Sequence, residues 1–368
     1  MTNKKQYNIL IVGPFPKPIT GNSLANQILF DGLSKKENVK VRRVNSSTSF
    51  FDEKVGSFSL KKAFNGIRFN LQIYKIFQSN AVYVTPGQSF FGVLKYGVII
   101  LTSKMLKRKI IIHIHGNYLR EEYKRIGKLK KIIVKVILRM ADKGIVLSRS
   151  LIPNLTPFLK KENIKIIYNF VEDYLLEDTK KIINNKRLNT LRIVYLSNLM
   201  LEKGILDLLK ALKEMEINKL EYRAKLAGNI DLNSKKKIDN YLNQLNNAEY
   251  LGVVEGDRKK ELLLWGNVFI FPSYYRMEGQ PISIIEAMAT GNVVLASNHA
   301  GISDIFSSKN GLFIRSKDYK DILNKLKIIS LDKPKFEEIL VKNYLYASKT
   351  YKADIFVNKI ETIITQND

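Results

Sequence analysis

Cysteine does not occur among the 368 residues, which rules out a disulfide framework and any thiolate metal site. Histidine occurs three times, and proline and glycine are sparse at 9 and 20. With 45% hydrophobic residues, that balance excludes a disordered or collagen-like chain. Long uninterrupted apolar runs are also missing. The longest, Phe90 to Leu106, is interrupted by Lys95 and Lys104 and contains Gly92 and Gly97, so it falls short of a membrane-spanning helix. The start, MTNKKQYNILIVG, passes from a polar lead straight into a strand-like run without a signal-peptide pattern, and the expectation is a cytoplasmic protein.

Acidic residues are scarce in one half only. Residues 1–170 hold 31 Lys/Arg against 8 Asp/Glu, whereas residues 171–368 hold 30 against 26, within a formal charge of +27. A basic half is an electrostatic footprint for an anionic partner, either nucleic acid, an anionic membrane or a phosphorylated acceptor. Aromatic residues do not alternate with basic ones as a base-stacking platform requires, and no nucleic-acid recognition motif is present, so nucleic acid is set aside.

What is present is a repeated strand, loop, helix grammar. It runs through Tyr7 to Val12, Ala81 to Thr85, Lys109 to Ile114 and Gly144 to Leu147, then through Leu191 to Leu196, Tyr222 to Ala227, Glu249 to Leu251, Val268 to Phe271 and Val293 to Ala296. Strands alternating with helices imply parallel sheets covered on both faces. A chain of this length exceeds one ordinary core. The expected organisation is α/β with lobes at 1–172 and 191–345, a linker at 173–190, and a C-terminal helix, 346–368, packing back on the first lobe.

In parallel sheets ligands sit beyond the carboxyl ends of the strands, so those loops are the candidate sites. The first, Gly13-Pro-Phe-Pro-Lys-Pro-Ile-Thr-Gly-Asn-Ser23, offers Gly21 and Asn22 at a helix start, where amides point at an anion; an ordinary turn with Asn22 or Ser23 as cap would look the same. His113 and His115 share a strand face, His113 as a hydrogen-bonded structural residue and His115 as a functional candidate at the strand end. Lys203 lies in Ser197-Asn-Leu-Met-Leu-Glu-Lys-Gly204, where a strand hands over to a helix and an ammonium can meet a diphosphate. Glu278 falls on the loop after Phe271, and Glu286 on the following helix, whose first position suits Pro281. A carboxylate among Ile284, Ile285, Ala287 and Met288 is costly to bury without donors, and a ribose diol would supply two.

The segment Glu278-Gly-Gln-Pro-Ile-Ser-Ile-Ile-Glu286, followed by Ala-Met-Ala-Thr-Gly291 and flanked by Glu202-Lys-Gly204, Phe271-Pro-Ser273, Ala300-Gly-Ile302 and Asn310-Gly-Leu-Phe313, resembles the retaining glycosyltransferase family 4. The resemblance implies a GT-B fold of two Rossmann-like lobes facing a central cleft. It further implies that Glu278 holds a donor-sugar hydroxyl and Glu286 the ribose, that Gly279, Gln280, Pro281 and Ile282 line the sugar pocket, that Lys203 with the Gly21 and Asn22 loop binds the diphosphate, and that His115 faces the reacting sugar. No metal or other cofactor is implied, because Lys and amide donors stabilise the departing diphosphate. One departure stands out: the family's Gly-Arg-Leu is Ser197-Asn198-Leu199 here, and an amide cannot replace a bidentate guanidinium, so either Arg258 or Arg276 serves as a substitute phosphate clamp or diphosphate binding is weaker.

The expected activity is transfer of a hexose or N-acetylhexosamine, with retention, from a nucleotide-sugar of the UDP type to a lipid-linked saccharide in bacterial surface polysaccharide assembly, O-antigen or capsule. The alternative on the same fold is a UDP-sugar epimerase. The basic segments 121–143 and 60–77 suit an anionic membrane surface, which places the enzyme at the inner face of the cell membrane.

Overall fold

The computed structural model describes residues 6–47, 69 and 71–366. Most of the basic stretch 60–77 therefore lies outside the described residues. The chain divides into two compact units, residues 1–169 with 354–368, and residues 170–353.

The first unit is built on a six-stranded parallel sheet in the order β2-β1-β3-β4-β5-β6, with β1 Tyr7–Gly13, β2 Val39–Asn45, β3 Ala81–Val84, β4 Lys109–Ile114, β5 Lys143–Val146 and β6 Ile164–Ile166. The central strands are buried along almost their whole length, which is why they read as continuous apolar runs. Strands β2 and β6 were not expected. The pattern VKVRRVN carries Lys40, Arg42 and Arg43 on an edge strand with only Val39 and Val44 buried, and β6 is three residues long.

The second unit holds a sheet in the order β12-β11-β10-β7-β8-β9, from β7 Leu191–Leu196, β8 Tyr222–Ala227, β9 Ala248–Tyr250, β10 Val268–Phe271, β11 Val293–Ser297 and β12 Gly311–Ile314. All its pairings are parallel. The edge strand β12 is the addition here, read in the sequence only as the flanking match Asn310-Gly-Leu-Phe313.

Nine helices carry the argument below: α1 Gly21–Ser34, α2 Phe90–Leu94, α3 Gly97–Met105, α4 Lys128–Arg139, α5 Ile205–Ile217, α6 Gly256–Trp265, α7 Ile282–Ala289, α8 Lys333–Thr350 and α9 Ala353–Thr365. Helix α5 shows how they are held: Ile205, Leu208, Leu209, Leu212 and Met215 recur at helical spacing and are all buried, each contributing about 1.5–3 kcal/mol of transfer free energy.

The C-terminal helical pattern is two helices, α8 and α9. It breaks because Tyr351 leaves the helix to accept a hydrogen bond from the Val171 amide (2.8 Å), beside a parallel bridge between Val171 and Lys352. In the first unit, α9 buries Phe356, Val357, Ile360 and Ile364, and Val357 lies where a Cβ on Gly32 of α1 would stand, 2.7 Å away. Residues 173–190, expected as a linker, are packed into the second unit. Ile183 and Leu188 are buried there, and the Lys186 ammonium, 4% exposed, is surrounded by the carbonyls of Leu263, Gly266, Thr290 and Gly291 at 2.6–3.2 Å. Those carbonyls sit at the C-terminal ends of α6 and α7, where a cation is favoured. Burial nevertheless pulls the Lys186 pKa well below its ordinary value.

Candidate functional site

Strand order locates the site in the second unit. Strand β7 pairs with β8 on one side and with β10 on the other, while β10 continues to β11. The loops leaving β7 and β10 therefore diverge from neighbouring strands at the switch point where open α/β sheets bind ligands. Lys203 ends a short 3-10 turn, Leu201–Lys203, and Gly204 follows at φ 75°. A Cβ on Gly204 would stand 2.3 Å from the Pro272 carbonyl oxygen, so both the left-handed backbone and the close approach of the two loops require glycine. The Tyr274 amide donates to the Glu202 carbonyl at 2.8 Å and ties the loops further.

This contact brings two candidates together. Lys203 Nζ donates to Glu278 Oε2 at 2.6 Å, and Ser273 Oγ donates to the same oxygen at 2.8 Å. The Lys203 ammonium also lies 5.2 Å and 5.1 Å from the ring centroids of Phe271 and Tyr275, within cation–π range. Glu278 is 6% exposed. A buried ion pair of this kind is stable only with such additional donors.

Glu286 heads a second cluster. It is 3% exposed on α7, and its Oε1 accepts from Lys259 Nζ of α6 at 2.6 Å; the same ammonium reaches Glu172 Oε2 at 2.6 Å and lies 5.5 Å over the Tyr174 ring. Burial pushes the Glu286 carboxyl above the usual carboxylate range, with Lys259 pulling against it. Burial lowers the Lys259 pKa, but Glu286 and Glu172 more than offset it and hold the ammonium above its ordinary value. Burial, opposed by Lys259, also pushes the Tyr174 phenol up to about 12. Two carboxylates thus share one cation.

Lys259 and Glu172 were missed in the sequence, where Arg258 next door drew attention. Lys259 stands three and four residues before the buried Leu262 and Leu263, on the inward face of α6, and that spacing is the signal that separates it from Arg258.

The remaining candidates of this unit fall around the two clusters. Gly279, Gln280, Pro281 and Ile282 are buried, and the Gly301 amide donates to the Gly279 carbonyl at 3.0 Å. Pro281 stands one position earlier than expected, as the N-cap of α7. Asn198, Arg258 and Arg276 are all exposed, and the Asn198 carbonyl accepts from the Tyr195 hydroxyl at 3.0 Å.

The first unit has its own switch point, between β1 and β3. Gly13 ends β1 with so little room that a Cβ would stand 1.9 Å from Thr85 Oγ1 and 2.4 Å from Asn26 Nδ2. The cap of α1 is Thr20, one of two partners in a reciprocal capping box with Ser23, rather than Asn22 or Ser23. Gly21 and Asn22 are the first residues of the helix proper, where amides lack intrahelical partners. On β4 the His113 Nδ1 meets the Tyr83 hydroxyl at 2.5 Å, and the His113 and His115 rings lie 4.0 Å apart. Both His115 ring nitrogens and His113 Nε2 are enclosed and have no hydrogen-bond partner among the described residues. Burial lowers the His115 pKa to about 3 and that of His113 well below its ordinary value, so both rings are neutral at neutral pH. Among the described residues no group of three or more His, Asp or Glu side chains could hold a metal ion.

With this geometry in place, comparison with known proteins gives consistent results. Residues 177–345 match the family described as glycosyl transferases group 1. An uncharacterized glycosyltransferase of Methanocaldococcus jannaschii is 25% identical over 303 residues, 78% of this chain and 74% of that protein. The N,N'-diacetylbacillosaminyl-diphospho-undecaprenol alpha-1,3-N-acetylgalactosaminyltransferase of Campylobacter jejuni is 31% identical over 100 residues, 27% of this chain and 26% of its own. Among solved structures, Anabaena HepE, crystallised with UDP and with UDP-glucose, superposes with a TM-score of 0.74 at 16% identity, covering 97% of this chain and 99% of that one. The two parallel six-stranded sheets are those of the GT-B fold, and the match of residues 177–345 together with the similarity to the Methanocaldococcus protein supports glycosyl transfer as the chemistry of this chain.

Proposed function

We propose that the protein moves a hexose or N-acetylhexosamine, with retention of anomeric configuration and without a metal ion, from a UDP-sugar to a lipid-linked saccharide of the kind used in surface polysaccharide assembly. The observation that carries the donor assignment is the Lys203–Glu278 pair at the β7/β10 switch point, 2.6 Å apart. It presents an ammonium for a diphosphate and a carboxylate for sugar hydroxyls in one place. The UDP-glucose of HepE supports the donor class, and the diphospho-undecaprenol substrate in the name of the Campylobacter relative supports the acceptor class.

In this mechanism Glu278 orients the donor sugar, the buried Glu286, held by Lys259 at 2.6 Å, receives the ribose hydroxyls, and Gly279 to Ile282 shape the sugar pocket. At the first unit's own switch point the proposal keeps the Gly21 and Asn22 amides as anion donors and His115 as a polar contact for a ligand. The bond from the anomeric carbon to the diphosphate breaks as the acceptor oxygen bonds on the vacated face, and the acceptor proton passes to the leaving phosphate. Lys203 stabilises the negative charge that develops on that phosphate. Asn198 gives no charge there, and Arg258 or Arg276 would have to turn inward to do so.

The test is a screen of UDP-sugars with and without a polyprenyl-diphosphate saccharide, in chelator, with product stereochemistry read by NMR. Acceptor-dependent transfer with an axial-to-axial outcome is expected. Conversion of the UDP-sugar without acceptor would identify an epimerase instead, and inverted product or chelator-sensitive transfer would overturn the corresponding part of the mechanism.

A further inference from the structure

Among the described residues of the first unit, helices α2, α3 and α4 leave an apolar face uncovered. Phe91, Leu94, Val98, Leu101 and Met105 recur at alternating three- and four-residue spacing across α2 and α3, and every one is at least 40% exposed. Leu129, Ile132 and Val136 form a second stripe on α4, 72%, 59% and 50% exposed. The helices adjoin: a Cβ on Gly97 of α3 would meet the buried Ile137 of α4 at 3.1 Å, and at the surface the Lys130 ammonium of α4 lies 5.9 Å over the Phe91 ring of the first stripe. The opposite faces of these helices bury Val93, Ile99, Ile100, Val134 and Leu138, so the exposed stripes are additional to what the core needs. Contiguous exposed apolar surface of this kind marks an interaction site.

Its charge identifies the occupant. Residues 86–120 contain no Asp or Glu, and neither does α4. Lys128, Lys130, Lys131, Lys135 and Arg139 of α4 form no ion pair among the described residues. A second copy would set these five cations against five more, which is repulsive, and nucleic acid would leave the aliphatic stripes without a partner. A layer with an anionic surface over a hydrocarbon interior satisfies both halves at once: the stripes enter the acyl boundary while the lysines stay at headgroup level.

We infer that the α2, α3 and α4 face docks on an anionic lipid bilayer, lying in its interface without crossing it. None of the described helices is long and apolar enough to span one. The inference rests on the lipid-linked acceptor for its purpose, since docking would bring the protein to such a substrate, but its physics stands on the surface alone.

Sedimentation with vesicles tests it. The full chain should bind vesicles of phosphatidylcholine with about one third phosphatidylglycerol at least ~10-fold more tightly than pure phosphatidylcholine, with the difference shrinking as salt is raised. A Leu101→Glu, Ile132→Glu variant should lose about 10-fold or more of that binding. Leu331→Glu, at an 85% exposed position of the second unit, should keep it. UDP affinity by calorimetry should be unchanged in both variants. Equal binding to neutral and anionic vesicles, equal loss in Leu331→Glu, or a solution dimer abolished by Leu101→Glu, Ile132→Glu would each overturn the inference. Failure of the unaltered protein to bind UDP would instead overturn the donor reading and leave the surface standing.

Discussion

The switch points of the two units are built on opposite principles. In the second unit every key charge is compensated: Glu278 by Lys203 and Ser273, Glu286 by Lys259, and Lys259 in turn by Glu172. In the first unit several polar atoms near the switch point are enclosed and unanswered among the described residues: both nitrogens of His115, Nε2 of His113 and Oδ1 of Asn26. A compensated site holds its geometry before a ligand arrives, whereas an uncompensated one carries an unmet hydrogen-bonding capacity that a ligand or ordered water can fill.

Removing one partner from the compensated side gives the largest expected effect. Lys259→Met leaves Glu286 and Glu172 facing each other without a cation and should cost about 3–5 kcal/mol of stability in chemical denaturation. If the double change Lys259→Met, Glu286→Leu restores most of that loss, the pairing rather than the packing is responsible; a persistent loss would break the comparison. Next comes Glu278→Gln, which keeps the shape and a hydrogen-bond acceptor but removes the charge beside Lys203. Transfer should fall roughly 100- to 1,000-fold, equivalent to about 2.7–4 kcal/mol, while UDP binding persists; unchanged turnover would remove Glu278 from the site.

The first unit is sharpened by pH. Both His113 and His115 have pKa values lowered on folding, so the folded state disfavours their protonation. Their effect is absent above the unfolded pKa near 6.5, and stability falls as pH drops from there toward the folded value, about 3 for His115. Each ring contributes a slope of about 1.4 kcal/mol per pH unit within that window. His115→Phe should flatten the stability profile of acid unfolding; an unaltered slope would show that the ring is already protonated in the folded protein. The smallest expected effect is Thr20→Ala, which removes one side of the α1 capping box and should cost about 1 kcal/mol in thermal unfolding, with Thr20→Ser largely restoring it.

Much of this was legible in the sequence because the central parallel strands are buried and largely apolar. Nine strands could be read from such runs, and the loops after them gave Lys203, Glu278, Glu286 and His115. Strand β2 escaped because its arginines and lysine lie on an edge where only Val39 and Val44 face inward. The meeting of Lys203 and Glu278, 75 residues apart, depends on β7 and β10 being neighbours, a property of sheet order that local pattern does not contain. Lys259 was hidden for a different reason: among 61 basic residues a lysine attracts notice only when its helix face is known. The segment 173–190 looked like a solvated tether because most of its polar groups are exposed, yet Lys186 and Thr179 are buried in it beside Leu175, Ile183 and Leu188.

That last segment bears on how the molecule can be taken apart. A fragment begun at Leu191, the first strand of the second sheet, would lack Lys186, and the four carbonyl groups it serves at the ends of α6 and α7 would lose their cation. It would also lack Glu172, the second anchor of Lys259. A self-standing second unit therefore has to begin near Phe170, so that the twenty residues ahead of the sheet act as its closing clasp.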